Sequence, residues 1–243
     1  MKLNHIIAFT AGLAVVMQAT AGDITGTVTL SGTPPPEKAI TPLKEDAVCG
    51  KFYTDMPMTK FFVVGPNKEL ADTIVMLKGV PGKAADASAP PVVLDQKNAL
   101  YTPQIVALQT GQKLVVRNSD PMPVAMHNVH MNPAVPANAE ANTATMNVAQ
   151  MAGAPDVTVS FPAAENFMKF QCDVHNWMFA WVTVVDNPYF AVTGKDGKFT
   201  IKNVPPGKYH LVALHRKAAP TGVDKEIEVT ADGAKQDFTL EVK

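Results

Sequence analysis

The sequence has 243 residues, 47% of them hydrophobic and only 18% charged, with 20 Pro, 15 Gly and two Cys. A charged fraction below the roughly 25% usual for soluble proteins excludes long charged helices and a disordered polar tail. The 21 Lys and Arg against 22 Asp and Glu give a net charge of -1, which excludes the basic excess that a nucleic-acid binder needs to neutralise phosphates.

Lys2 opens a basic start that leads into an apolar run from Ile6 to Met17, followed by Ala19-Thr20-Ala21. The small residues Ala19 and Ala21 make a signal-peptidase site before Gly22, and the run is short for a bilayer span, so residues 1–21 read as a removed secretory signal. The mature chain has no other long apolar stretch. It is therefore expected to be exported, to the periplasm or beyond, without a membrane span, and its two cysteines face an oxidising compartment.

Ile24 to Leu30 alternates β-favouring residues and stops at Ser31-Gly32-Thr33-Pro34-Pro35-Pro36, a strand followed by a turn. Residues 34–70 carry mixed signals and read as loops, with Phe61-Phe62-Val63-Val64 as a short strand candidate. Thr73 to Leu77 is a second strand, and the small, Pro-rich run from Ala84 to Pro91 is a linker or exposed loop. From Val92 the pattern tightens into short strands at Val92–Leu94, Ile105–Leu108 and Lys113–Arg117, the last two joined through Thr110-Gly111-Gln112. Residues 132–155 have no clean period and read as a long loop with room for Ala-rich helical turns. Strands resume at Val157–Phe161, Met168–Gln171 and Ala180–Val185. In the final segment, Asp196-Gly197 and Pro205-Pro206-Gly207 set turns between alternating strands, and Ile227–Val229 and Phe238–Val242 add two more. Many short strands at turn-limited spacing predict an all-β protein of sandwich type.

The chemistry concentrates in Cys172-Asp173-Val174-His175-Asn176-Trp177-Met178, between two strands, with His127-Asn128-Val129 upstream at another strand's edge. One thiolate, two imidazoles and one thioether are the donor set of a mononuclear blue-copper centre, with Cys and two His in a plane and a distant axial Met. A tight loop can turn Cys172, His175 and Met178 toward one ion, which leaves a fourth position for His127. His127 is preferred to His130 because residues three apart on a strand face opposite sides of the sheet.

On these residues, with the Asn118-Ser119-Asp120 turn, the block 92–186 resembles a cupredoxin, the family that includes plastocyanin and amicyanin. The resemblance implies a Greek-key β-sandwich that holds one type 1 copper through His127, Cys172, His175 and Met178 and transfers single electrons between redox proteins. It further implies that Asn128 bonds the loop carrying Cys172. His175, on an exposed loop, is the expected electron port, and Trp177, Pro123 and Met126 form the expected apolar docking patch. The flanks, residues 22–91 and 187–243, resemble a transthyretin-like or carboxypeptidase-regulatory-like β-sandwich through Ile24–Val28, Asp196–Phe199 and Val204–Tyr209. Strands on both sides of the copper block imply a discontinuous domain with the cupredoxin inserted.

Three other readings stand beside this one. Met122, Met126, Met131 and His130 next to the main site suit a copper carrier or storage protein. A Cys49–Cys172 disulfide would remove the thiolate and leave a metal-free structural module. Zinc accepts Cys and His but takes thioether poorly. No nucleophile or metalloprotease motif and no phosphate loop occurs, and four protein donors would leave copper no open position, so the expectation is a carrier and not an enzyme.

Overall fold

The computed structural model of the chain describes residues 20–121 and 126–242. The signal reading of residues 1–21 falls almost wholly outside that range, and Met122 and Pro123 fall wholly outside it. Among the described residues no helix is long and apolar enough to cross a membrane.

The chain is all-β. The first third contains β1 (Gly22–Ser31), a short helix α1 (Thr41–Glu45), a 3-10 turn at Cys49–Phe52, and β2 (Ile74–Lys78). The middle contains β3 (Val92–Lys97), β4 (Leu100–Thr102), β5 (Ile105–Gln109), β6 (Leu114–Asn118) and β7 (His127–Asn132). It continues through helix α2 (Pro136–Ala141), β8 (Asn147–Gln150), β9 (Val157–Val159), β10 (Glu165–Gln171) and β11 (Phe179–Val185). The last third contains β12 (Phe190–Val192), β13 (Lys198–Val204), β14 (Gly207–His215), β15 (Ala219–Val229), β16 (Ala234–Lys235) and β17 (Phe238–Glu241).

Two sheets enclose the middle core. One runs β5-β11-β10-β7-β8 and the other β4-β3-β6-β9. Leu94, Leu114 and Val116 from the second meet Val129, Phe170 and Val182 from the first in a single buried cluster. Alternation along β6 and β10 supplies this inward face, as period-two patterning requires.

The flanking strands form a second sandwich. β1 pairs antiparallel with β13 and parallel with β16 and β17, while the facing sheet runs β12-β2-β14-β15. Ile24, Val28 and Leu30 of β1 pack with Leu77, Leu211, Phe238 and Leu240. The Ile74-Val75-Met76-Leu77 run is buried throughout because it has a core on each side. Val75 and Leu77 face the second sandwich, whereas Ile74 and Met76 pack with Ile105, Val185 and Val212. That third cluster joins the two sandwiches.

Residues 38–59 cross over the middle core as a strap. Leu43 and Cys49 are fully buried within that core. Tyr53 ties the strap down by donating from its hydroxyl to the Asn98 carbonyl at 2.7 Å. Gly50 is required here because a Cβ would strike the Lys44 carbonyl oxygen. Phe61-Phe62-Val63-Val64 forms no strand; Val64 makes one isolated bridge to Leu70, while Phe61 stacks on Phe179 and Phe62 on His215. In the 132–155 stretch, α2 and β8 replace the expected long loop. Glu165 anchors it by accepting bonds from Ala134 N, Val135 N and Asn138 Nδ2.

Candidate metal centre

The site forms at one end of the middle sandwich, where β7 begins and the β10–β11 loop turns back. In β7, His127, Val129 and Met131 are fully buried on one face. His130, on the other face, bonds both carboxylate oxygens of Asp173 at 3.0 Å. The pleat therefore directs His127 inward and His130 to a surface carboxylate. The β10–β11 loop closes through Cys172 N donating to Met178 O at 3.0 Å and Met178 N to His175 O at 2.9 Å. Those two bonds fix the C-x-x-H-x-x-M spacing as one compact turn, with Cys172 and Met178 both in the buried cluster.

Three of the four expected donors converge geometrically. One ring nitrogen each from His127 and His175 and the Cys172 sulfur lie within 4.8 Å of one another. The two Nδ1 atoms are 3.0 Å apart, and His175 Nδ1 is 3.7 Å from Cys172 Sγ. Two metal–nitrogen bonds of about 2.0 Å at roughly 100° would hold such nitrogens about 3.1 Å apart, so the pair fits a shared ion without rearrangement. Met178 is fully buried in the same core cluster as Cys172.

The polarity of the pocket follows from its hydrogen bonds. Burial alone would raise the Cys172 thiol, but hydrogen bonds from His127 and His175 and the Asn128 amide outweigh it and lower its pKa to about 6. Burial would likewise pull His127 down, but the Asp120 carboxylate and the Cys172 sulfur push it up to about 9. Cys172 is thus poised as a thiolate, the form in which cysteine ligates metals.

Asp120 is the residue that sequence reading placed only in a turn. Its carboxylate accepts from His127 Nε2 at 2.9 Å, from Ala99 N at 2.8 Å and from Asn98 N. Asn98 and Ala99 both adopt positive φ, so the carboxylate also holds the β3–β4 turn. Asn128 lies between β7 and the loop that carries Cys172. Its Oδ1 accepts from Asp173 N at 2.6 Å, its Nδ2 donates to Asn147 Oδ1 at 2.6 Å, and its own amide points at Cys172 Sγ at 3.4 Å.

The surface above the site departs from expectation. His175 is only 4% exposed and is not an open electron port. The strap covers it, with Cys49 Sγ 3.9 Å from Nε2, and the Trp177 ring lies 5.0 Å from its ring on another side. Trp177 is half-buried and donates its indole N–H to Ala99 O at 3.0 Å. Met126 is exposed, whereas Met131 is fully buried in the core, so these two methionines share no surface. Cys49 and Cys172 are both free thiols. Burial, then Asp46, raises Cys49 to about 12, the opposite direction from Cys172.

No family model matches the chain, and no curated protein matches it. Among solved structures, amicyanin from Paracoccus versutus is 18% identical, with 46% of this chain covering 97% of that one at a TM-score of 0.32. The copper-containing nitrite reductase from Thermus scotoductus SA-01 is 13% identical, with 46% of this chain covering 25% of that one at a TM-score of 0.33. A likeness this distant decides neither fold nor chemistry. Those rest on the strands and side chains described above.

Proposed function

We propose that this protein binds one copper ion through His127, Cys172, His175 and Met178 and carries single electrons between exported redox proteins. The observation that supports this reading is the buried convergence of two Nδ1 atoms and one thiolate-poised sulfur within 4.8 Å. Copper, when bound, supplies the one-electron couple. Cys172 would supply the soft thiolate donor, His127 and His175 the imidazole donors, and Met178 a weak thioether donor.

The protein's contribution is a fixed frame. Asp120 accepts a hydrogen bond from Nε2–H of His127 and so aims Nδ1 at the other donors, where an ion would displace its proton, a role that outer carboxylates serve at metal-bound histidines. Asn128 holds the Cys172 loop to β7. His127, Cys172 and His175 are themselves buried, so water is kept from the donors and close packing leaves them little room to move between oxidation states. With every position filled by protein, the site suits a carrier better than a catalyst. With His175 sealed, electrons would pass through the half-buried Trp177, and a partner would dock over Trp177 and Met126.

The test is the visible spectrum after adding Cu(II) to the purified protein. An intense thiolate-to-copper band, bleached by ascorbate and regained on reoxidation, is expected, and it should vanish in Cys172→Ser. A colourless wild-type protein with two free thiols would overturn the reading.

A further inference from the structure

His175 has two faces. Its Nδ1 points to Cys172 and His127, as described, while Nε2 points outward to a second group of donors contributed by the strap. There the Cys49 sulfur, an Asp46 carboxylate oxygen and a His175 ring nitrogen again lie within 4.8 Å of one another. Asp46 and Cys49 are three residues apart on a single turn, closed by Cys49 N donating to Asp46 Oδ1 at 2.7 Å and Gly50 N to Asp46 O at 3.0 Å. Val48 N also donates to Asp46 Oδ1 at 3.0 Å. These bonds hold the Asp46 carboxylate in place on the turn.

We propose that Asp46, Cys49 and Nε2 of His175 form a second metal site, of zinc type, on the outer side of the same imidazole. The geometry supports it. Bonds of about 2.3 Å to sulfur and about 2.1 Å to nitrogen at a tetrahedral angle place S and N about 3.6 Å apart. The observed Sγ to Nε2 distance is 3.9 Å. The donor set selects the ion: one thiolate, one imidazole and one carboxylate suit a borderline divalent metal, whereas a hard carboxylate is a poor donor for Cu(I). Cys49 and His175 are buried and Asp46 is half-buried, so the ion would enter from the Asp46 side and keep its fourth position there for water. Binding places a divalent cation on the three donors and releases the Cys49 thiol proton to solvent; no electron moves. When the inner site is also filled, Nε2 gives up its proton as well and the ring joins the two ions.

The inference does not depend on the copper reading, since it uses only His175 of the inner donors. Co(II), a coloured stand-in for zinc, is titrated into the Cys172→Ser variant, which lacks the inner thiolate and keeps Asp46, Cys49 and His175. A near-ultraviolet thiolate-to-Co(II) band is expected, displaced by one equivalent of Zn(II) and absent once Cys49→Ser is added. In the Cys172→Ser background, Asp46→Asn should weaken Co(II) binding at least about tenfold. No thiolate band in Cys172→Ser, or one that survives loss of Cys49, overturns the site. Should Cys172→Ser fail to fold, elemental analysis of copper-loaded protein gives the same decision: one zinc in wild type and none in Cys49→Ser supports the site, and equal zinc in both overturns it. Failure of the copper reading shows separately, as wild-type protein that stays colourless with Cu(II).

Discussion

The carboxylate of Asp120 accepts a hydrogen bond from Nε2 of His127 at 2.9 Å, deep enough that both side chains are fully buried. The bond orients the His127 ring and aims its Nδ1 at His175 and Cys172, where a bound ion would take the place of the Nδ1 proton. The same carboxylate holds the Asn98 and Ala99 amides of a neighbouring turn, so one side chain sets both a donor atom and the wall beside it.

Asp120→Asn should therefore act on two quantities. Copper affinity, measured by competition with a chelator, is expected to fall about 10- to 100-fold, the usual effect of removing such a partner. Stability in urea should drop by about 1–3 kcal/mol, because only one oxygen remains for the turn amides. Unchanged affinity would mean that Asp120 does not orient His127.

Asn128→Ala removes the acceptor for the Asp173 amide and the side-chain tie between β7 and the Cys172 loop. Leaving that partly buried donor unpaired should cost about 1–3 kcal/mol in the unfolding midpoint analysis. The copper band should also move or broaden as Cys172 loosens, and a spectrum identical to wild type would argue against Asn128 as the tie.

His215 supplies a pH dependence remote from the metal centre. It is 2% exposed, and burial pulls its pKa down from 6.5 to about 4. Its Nδ1 accepts the Ala218 amide at 3.1 Å and the Lys217 amide at 3.3 Å, which requires the neutral ring. Below 6.5 the unfolded chain takes up a proton that the folded one refuses. Stability is thus full above that value and lost as pH falls toward 4, by about 3 kcal/mol in total. Urea midpoints measured from pH 7 to 4 should show a shallower decline in His215→Gln; parallel curves would sink the assignment.

The two cysteines make a simple count. Cys49 is fully buried and Cys172 nearly so, and neither is bonded to the other. Under native conditions a thiol reagent should react slowly; in denaturant without reductant it should find both of the two cysteines. Finding neither would establish a disulfide and remove the thiolate from the proposed site.

Much of the centre was legible because its determinants are local. Strand alternation separates His127 from His130, and the loop closed by Cys172 and Met178 confines three donor side chains to seven positions. The strap was not legible. Cys49 meets His175 across 126 residues of sequence, and nothing between Lys38 and Thr59 has a period to announce it. Asp120 showed as a turn former, since its service to His127 depends on how β6 and β7 enter the sandwich. Ile74–Leu77 was plain as a strand, but an unbroken apolar run does not say that two different cores share it. Phe61 and Phe62 carry strand-like chemistry and are spent instead as aromatic cover for Phe179 and His215.

The parallel placement of β17 beside β1 sets an order of events in time. Thr29 and Thr239 bring their hydroxyls to 3.2 Å across 210 residues, so the first strand must wait for the last before its sheet is complete. The middle sandwich draws its strands from one continuous stretch between Val92 and Val185 and needs no such delay. Closing it first shortens the effective loop between the two ends and lowers the entropic cost of joining them. Pulsed hydrogen exchange during refolding should accordingly show the amides of β6, β10 and β11 protected before those of β1.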